Sequence, residues 1–213
     1  NETPTSISLD NLSVSENVSG DHIANISGVD PDGDNLTYSV LSTHDGEMLE
    51  VNGSVLKFKD GVAVNYEQDQ VIHFKLMATD TEGLSYEQEF DLSVLDVNEA
   101  PTITSGEPGP IEENSSIDYV IYGAHATDPD SDTVTYSVSG ADGFFVKIDS
   151  DDGEIRLLNP ADYESKDSYS FNVTASDGQL SDTKTVIVNV TDVEEEQTNI
   201  NSPIDIDISS NEI

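Results

Sequence analysis

The sequence predicts an all-β fold, two tandem Greek-key, seven-stranded β-sandwich domains joined by a short acidic linker. Three observations predict it. Apolar residues recur with a period of two rather than 3.6. The periodic runs are separated by clusters of Gly, Asp, Asn and Ser that read as turns. A set of landmarks occurs twice in one order, about 97 residues apart, so each copy has the size of a whole domain rather than of a solenoid repeat.

In the first copy the alternation runs through Ile7 and Leu9, then Leu36, Tyr38 and Val40, then Ile72, Phe74 and Leu76, then Leu92 and Val94. In the second it runs through Val134, Tyr136 and Val138, then Phe171 and Val173, then Val186, Val188 and Val190. Alternate side chains of a strand share a face, so each run is a strand with one face buried. Asp32-Gly33-Asp34-Asn35 and Asp151-Asp152-Gly153 supply turns. No stretch carries a long helical period. Between the copies, Asp96-Val97-Asn98-Glu99-Ala100-Pro101 closes one strand run and opens the next. Asn1-Glu2-Thr3-Pro4 has similar wording, so the chain is expected to begin in a linker of the same kind, as a piece of a longer array. The expected domains are residues 1–98 and 99–198. In residues 199–213, Ile204, Ile206 and Ile208 alternate like the first strand of a truncated third copy or a mobile tail.

Most of the repeated landmarks are acids. Glu16-Asn17 recurs as Glu113-Asn114, and Asp30-Pro31-Asp32 as Asp128-Pro129-Asp130. Tyr66-Glu67 recurs as Tyr163-Glu164, Ala78-Thr79-Asp80 as Ala175-Ser176-Asp177, and Asp96-Val97 as Asp192-Val193. The 213 residues carry 44 Asp and Glu against 7 Lys and Arg, a net charge of -37, and such self-repulsion opposes compaction unless cations offset it. It argues against nucleic acid and anionic membrane as partners, since both need a basic surface. No apolar run reaches the roughly 18 residues of a membrane span, so no direct membrane insertion is expected. There is no cysteine, which leaves metal as the alternative staple for small β domains. Asp, Asn and Glu oxygens in one short extended segment suit Ca2+, which takes about six to eight oxygens. Scattered acids such as Glu47, Glu50, Asp60 and Asp118 read as solvated surface; the landmark acids stand apart because their spacing repeats.

Other chemistries fit poorly. Asp30-Pro31-Asp32-Gly33-Asp34 is not an EF-hand loop, because glycine is fourth and the twelfth residue is Leu41. A glycosidase carboxylate pair needs a cleft that two small sandwiches do not offer, so no enzyme is expected. His22, His44, His73 and His125 show no metal spacing. Tyr66 and Tyr163 read as packing residues at a sandwich corner.

Taken in order, the landmarks resemble those of cadherin repeats, over essentially residues 1–198. The family's calcium motifs are matched in the first copy by Ser15-Glu16-Asn17, Asp30-Pro31-Asp32, Asn65-Tyr66-Glu67, Thr79-Asp80-Thr81 and Asp96-Val97-Asn98-Glu99-Ala100. The second copy offers Glu113, Asp128 with Asp130, Asp162 with Glu164, Asp177 and Asp192. The wording is similar to bacterial cadherin-like repeats of large surface or secreted adhesins. The resemblance implies Ca2+ between consecutive repeats, with ligands from both. At the central junction these would be Glu16, Glu67, Asp96, Asn98 and Glu99 from one side and Asp128, Asp130 and Asp177 from the other, with carbonyls near Val97, Ala100 and Ser137. Asp30, Asp32 and Asp80 would face a preceding repeat, and Glu113, Asp162, Glu164 and Asp192 a following one. Asn65, Glu99 and Ala100 depart from the family pattern and weaken the central set. The implied role is an extracellular or cell-surface adhesion and extender module whose partners are neighbouring repeats, other cell-surface proteins, or polysaccharide. A carbohydrate-binding role has the eight Tyr to draw on but no Trp.

Overall fold

The computed structural model describes residues 1–20 and 22–195. They divide into two compact units, one from Asn1 to Glu99 and one beginning at Ala100. The expected strand start at 199–213 lies outside the described residues.

The first unit contains β1 (Ser6–Leu9), β2 (Ser13–Ser15), β3 (His22–Val29), β4 (Thr37–Val40), β5 (Leu49–Asn52), β6 (Val55–Phe58), β7 (Val71–Thr79) and β8 (Ser85–Leu95), with one 3-10 turn at His44–Met48. Two four-stranded sheets form, in the orders β1-β3-β6-β5 and β2-β8-β7-β4. The first strand is shared between them, since β1 lies antiparallel to β3 and β2 parallel to β8. Counted as one strand, it makes the sandwich seven-stranded. Strand β7 shows why the period-two reading works: Ile72, Phe74, Leu76 and Ala78 are buried and the residues between them are more exposed. Strand β3 shows where it fails. The register shifts between His22 and Ala24, so that Ile23 and Ala24 are both buried and the alternation is broken. Strands β5 and β6 close around Gly53, whose φ of 63° is the left-handed geometry a tight hairpin needs.

The second unit contains β9 (Thr102–Ile103), β10 (Ile111–Glu112), β11 (Tyr122–Gly123), β12 (Ala126–Thr127), β13 (Thr135–Ser139), β14 (Val146–Ile148), β15 (Glu154–Leu157), β16 (Ser168–Ser176) and β17 (Ser181–Thr191), with a 3-10 turn at Gly143–Phe145. Strands β10-β17-β16-β13 form one sheet; β11-β15-β14 and the pair β12-β9 make up the other layer. Phe171, Val173, Val186, Val188 and Ile155 fill the core between them.

Both units share a latch absent from the sequence landmarks. Asp45 and Asp142 each accept the backbone N–H of the long strand below, from His73 at 2.8 Å and Ser170 at 2.7 Å. Asp142 is nearly buried, and the ammonium of Lys166 lies 3.0 Å from its other oxygen. Burial pushes the Asp142 carboxyl up, but the Ser170 N–H and Lys166 outweigh it and hold it below the usual carboxylate value. A depressed folded-state pKa stabilises above the unfolded value, about 3.9, and this contribution is lost as pH falls through the folded value. Acid titration followed by circular dichroism is therefore expected to show a pH dependence below about 4 that is smaller in Asp142→Asn than in the parent.

Candidate metal-binding ends

Strand pairing places the landmark acids at opposite ends of each unit. In the β7–β8 hairpin Val71 pairs with Ser93 and Thr79 with Ser85. Asp80 therefore follows one end of the hairpin and Asp96 the other, on the order of 30 Å apart for nine residues of strand.

At the Asp96 end of the first unit, Glu16 is only 2% exposed. Its Oε2 accepts the N–H of Tyr66 at 2.8 Å and its Oε1 the N–H of Val97 at 2.9 Å. The chain turns sharply after Glu16 because Asn17 takes φ 61°, which asparagine tolerates better than most residues. Asn17 also donates to Glu99 Oε1 at 2.8 Å. Carboxylate oxygens of Glu16, Glu67 and Asp96 all lie within 4.8 Å of one another. Asn98 donates to the Glu99 carbonyl at 3.3 Å. Asn65 turns its side-chain oxygen to the N–H of Gln68 at 2.9 Å and so caps its own loop.

At the other end, Asp30, Asp32 and Asp34 form a second carboxylate group within 4.8 Å. Asp34 was no part of the expected set. Asp30 Oδ1 accepts the N–H groups of Asp32 at 2.8 Å and Asp34 at 3.4 Å, while its Oδ2 is buried with no hydrogen-bond partner. Asp80 is buried and accepts N–H groups of Glu82 and Leu84, both at 2.9 Å, and the Asn1 amide at 2.7 Å. Burial raises its pKa, but these donors together hold it below the usual carboxylate value.

The second unit repeats the design. Glu113 is 4% exposed and receives Tyr163 N–H at 2.9 Å and Val193 N–H at 2.8 Å, which hold its pKa down. Asn114 again takes a left-handed φ, 57°. Glu113, Glu164 and Asp192 form the third carboxylate group. Asp162 stands outside that group; its oxygens take the N–H and hydroxyl of Ser165 at 3.0 and 2.9 Å. At the opposite end Asp128 Oδ1 accepts Asp132 N–H at 3.1 Å and its Oδ2 is buried with no hydrogen-bond partner. Asp130 follows two residues on, and Asp177 accepts N–H groups of Gln179 and Leu180, both at 2.6 Å. Tyr66 packs on the first core as expected, whereas Tyr163 is 38% exposed.

Two features of these ends bear on metal binding. The donors are oxygens only, the chemistry of a hard cation. Buried anionic oxygens at Asp30 and Asp128 are left without a hydrogen bond, a costly state that a bound cation would offset.

Residues 107–191 match the cadherin-domain family model. These are cadherin-like repeats. Human Protocadherin Fat 4 is 33% identical over 96% of the chain, and Drosophila melanogaster Cadherin-99C is 28% identical over 86%. The chain spans only 4% and 11% of the lengths of those relatives. Among solved structures, human Protocadherin-24 EC1-2 superposes with a TM-score of 0.67 at 20% identity, covering 91% of this chain and all of that one. Extracellular cadherin domains 3-6 of Protocadherin Gamma B2 give 0.63 at 20% identity, over 89% of this chain and 47% of that one. Both likenesses establish the cadherin β-sandwich fold. These animal cadherins lend no support to the narrower likeness to bacterial adhesins or to a polysaccharide partner. Among the described residues, no helix is long and apolar enough to cross a membrane.

Proposed function

We propose that this chain is a calcium-binding extracellular adhesion and extender module, in which Ca2+ held where one cadherin-like repeat meets the next restrains the joint. The observation that carries the proposal is the doubled arrangement of carboxylates at both ends of each unit, with buried anionic oxygens that lack a hydrogen bond. In this reading Glu16, Glu67, Asp96, Asn98 and Glu99 serve the central joint together with Asp128, Asp130 and Asp177. Asp30, Asp32 and Asp80, now joined by Asp34, serve a preceding joint. Glu113, Glu164 and Asp192 serve a following one. Asn65 and Asp162 contribute by shaping the loop that carries Glu67 and Glu164, since their side chains close that loop. The partners would be neighbouring repeats and other cell-surface proteins, at the cell surface or outside the cell.

Isothermal titration of the chelator-stripped chain with calcium tests the ligand assignment. Glu67→Ala and Asp128→Ala are each expected to lower affinity at one class of site by about tenfold or more, the loss of a carboxylate from a hard-cation set. Small-angle scattering is expected to show a better-defined particle when calcium is bound. Unchanged affinity in both variants would sink the assignment.

A further inference from the structure

We propose that the flank of the first unit carries a metal site of a second kind, in which His44 and His73 hold a divalent transition cation, zinc, and Asp91 supports His73. The two imidazoles line one cavity of about 280 Å³, together with Asp91 and the stacked rings of Phe74 and Phe90. The sequence does not announce the pairing, because His44 belongs to the 3-10 turn and His73 to β7. The Asp45 latch brings them together: the residue after His44 accepts the backbone N–H of His73 itself, at 2.8 Å. Across the hairpin His73 pairs in register with Asp91. Asp91 precedes Asp96 by five residues, roughly 16 Å of extended chain, so the site stands apart from the carboxylate group at that end.

Three observations give this pair the chemistry of a metal site. The first is the tautomer. An ionised carboxylate only accepts, so the 2.7 Å contact from His73 Nδ1 to Asp91 Oδ1 puts the ring proton on Nδ1 and leaves the lone pair of the neutral ring on Nε2. A carboxylate on the far nitrogen is what orients a metal-binding imidazole and raises its basicity. The second is donor type. Imidazole nitrogen suits zinc, whereas the carboxylate groups at the ends of the units offer only oxygen, the donor of a hard cation. The third is that the set occurs once. Where the first unit has His44, His73 and Asp91, the second has Ala141, Ser170 and Ile187. The second unit keeps the latch through Asp142 and Ser170, so the latch itself needs neither histidine. Glu89 also lines the cavity, but the Lys75 ammonium lies 3.5 Å from it, so the imidazoles are the protein ligands. Water completes the coordination, and at about 30 Å³ for each molecule the cavity has room for several.

The inference is independent of the calcium reading. It is tested by isothermal titration of the whole chain with zinc chloride in excess calcium, which competes for the carboxylates but not for the imidazoles, at about pH 7.5, above the usual imidazole pKa of about 6.5. One zinc ion per chain is expected to bind with nitrogen ligands. His44→Gly and His73→Thr are each expected to weaken that binding about tenfold or more, and Asp91→Ala about tenfold through the lost support of His73. His44 takes φ 54°, which glycine adopts freely, so His44→Gly removes the ring without straining the turn. His22→Ala, on β3 of the other sheet, is expected to bind zinc as the parent does. Long-range proton–nitrogen NMR supplies a readout that acidic binding would not move: zinc is expected to shift the His44 ring and His73 Nε2, and to leave the His22 and His125 rings in place. Absence of saturable zinc binding overturns the proposal. So does binding that both histidine variants retain at the parent's strength, or a zinc response spread equally over all four histidine rings.

Discussion

Excess calcium added to the chelator-stripped chain is expected to raise its unfolding midpoint by about 15 °C or more. A ligand that binds only the folded state at a thousand times its dissociation constant contributes about 4 kcal/mol. For a unit of this size each 1 kcal/mol moves the midpoint by roughly 4–8 °C. The apo state starts at a disadvantage, because Glu16, Glu67 and Asp96 crowd carboxylate oxygens within 4.8 Å. Magnesium is the control that separates coordination from simple charge neutralisation. It demands near-octahedral geometry and gives up its water reluctantly, so at equal concentration its effect should be a small fraction of calcium's. Sodium chloride screens exposed repulsion without binding, and should also fall short. Differential scanning calorimetry across the three salts reads the outcome directly. Equal effects from all three would make the acids a screened surface, and the joint would have no metal to restrain it.

The long hairpins were legible because they obey one rule over many residues. Strands β7, β8, β16 and β17 run for nine or eleven residues, and their buried side chains fall on alternate positions. Strands β14 and β15 span only three and four residues, too short for a period to declare itself. Strand β3 is long enough, but its register shift breaks the alternation. The acids were legible as a set through their repeated spacing, yet their individual roles were not. Asp162 and Asn65 match positions of a ligand motif, and their oxygens also accept from Ser165 and Gln68 three residues on, a loop-closing contact that the motif does not announce. Asp34 belongs with Asp30 and Asp32, but sequence alone offered only an EF-hand template for it, which fails. The Asp45 and Asp142 latches reach strands 28 residues on, and nothing local announces such a partner.

Glu16 carries two roles that mutation can separate. Its carboxylate is a candidate calcium ligand, and it also pins the Tyr66 loop and the Val97 linker by one hydrogen bond to each, between segments 50 and 81 residues away in sequence. Glu16→Gln keeps the shape but turns one acceptor oxygen into an amide donor, which then meets a backbone N–H head-on. Hydrogen bonds to charged groups contribute about 1.5–3 kcal/mol, and a buried donor left unpaired costs a similar amount. In chelator, where no metal can contribute, Glu16→Gln is therefore expected to lose about 2–3 kcal/mol and to melt roughly 10 °C below the parent. Glu67→Gln is the contrast. Glu67 is exposed, and neutralising it removes one like charge from the crowded group, so its midpoint in chelator should match or slightly exceed the parent's. Both variants should bind calcium more weakly. If Glu16→Gln melts with the parent in chelator, the pin has no energetic weight and the residue acts as a ligand alone. A lower midpoint in chelator for Glu16→Gln only, with weaker calcium binding in both, would establish that the same carboxylate first orders the loop and linker and then presents them to the metal.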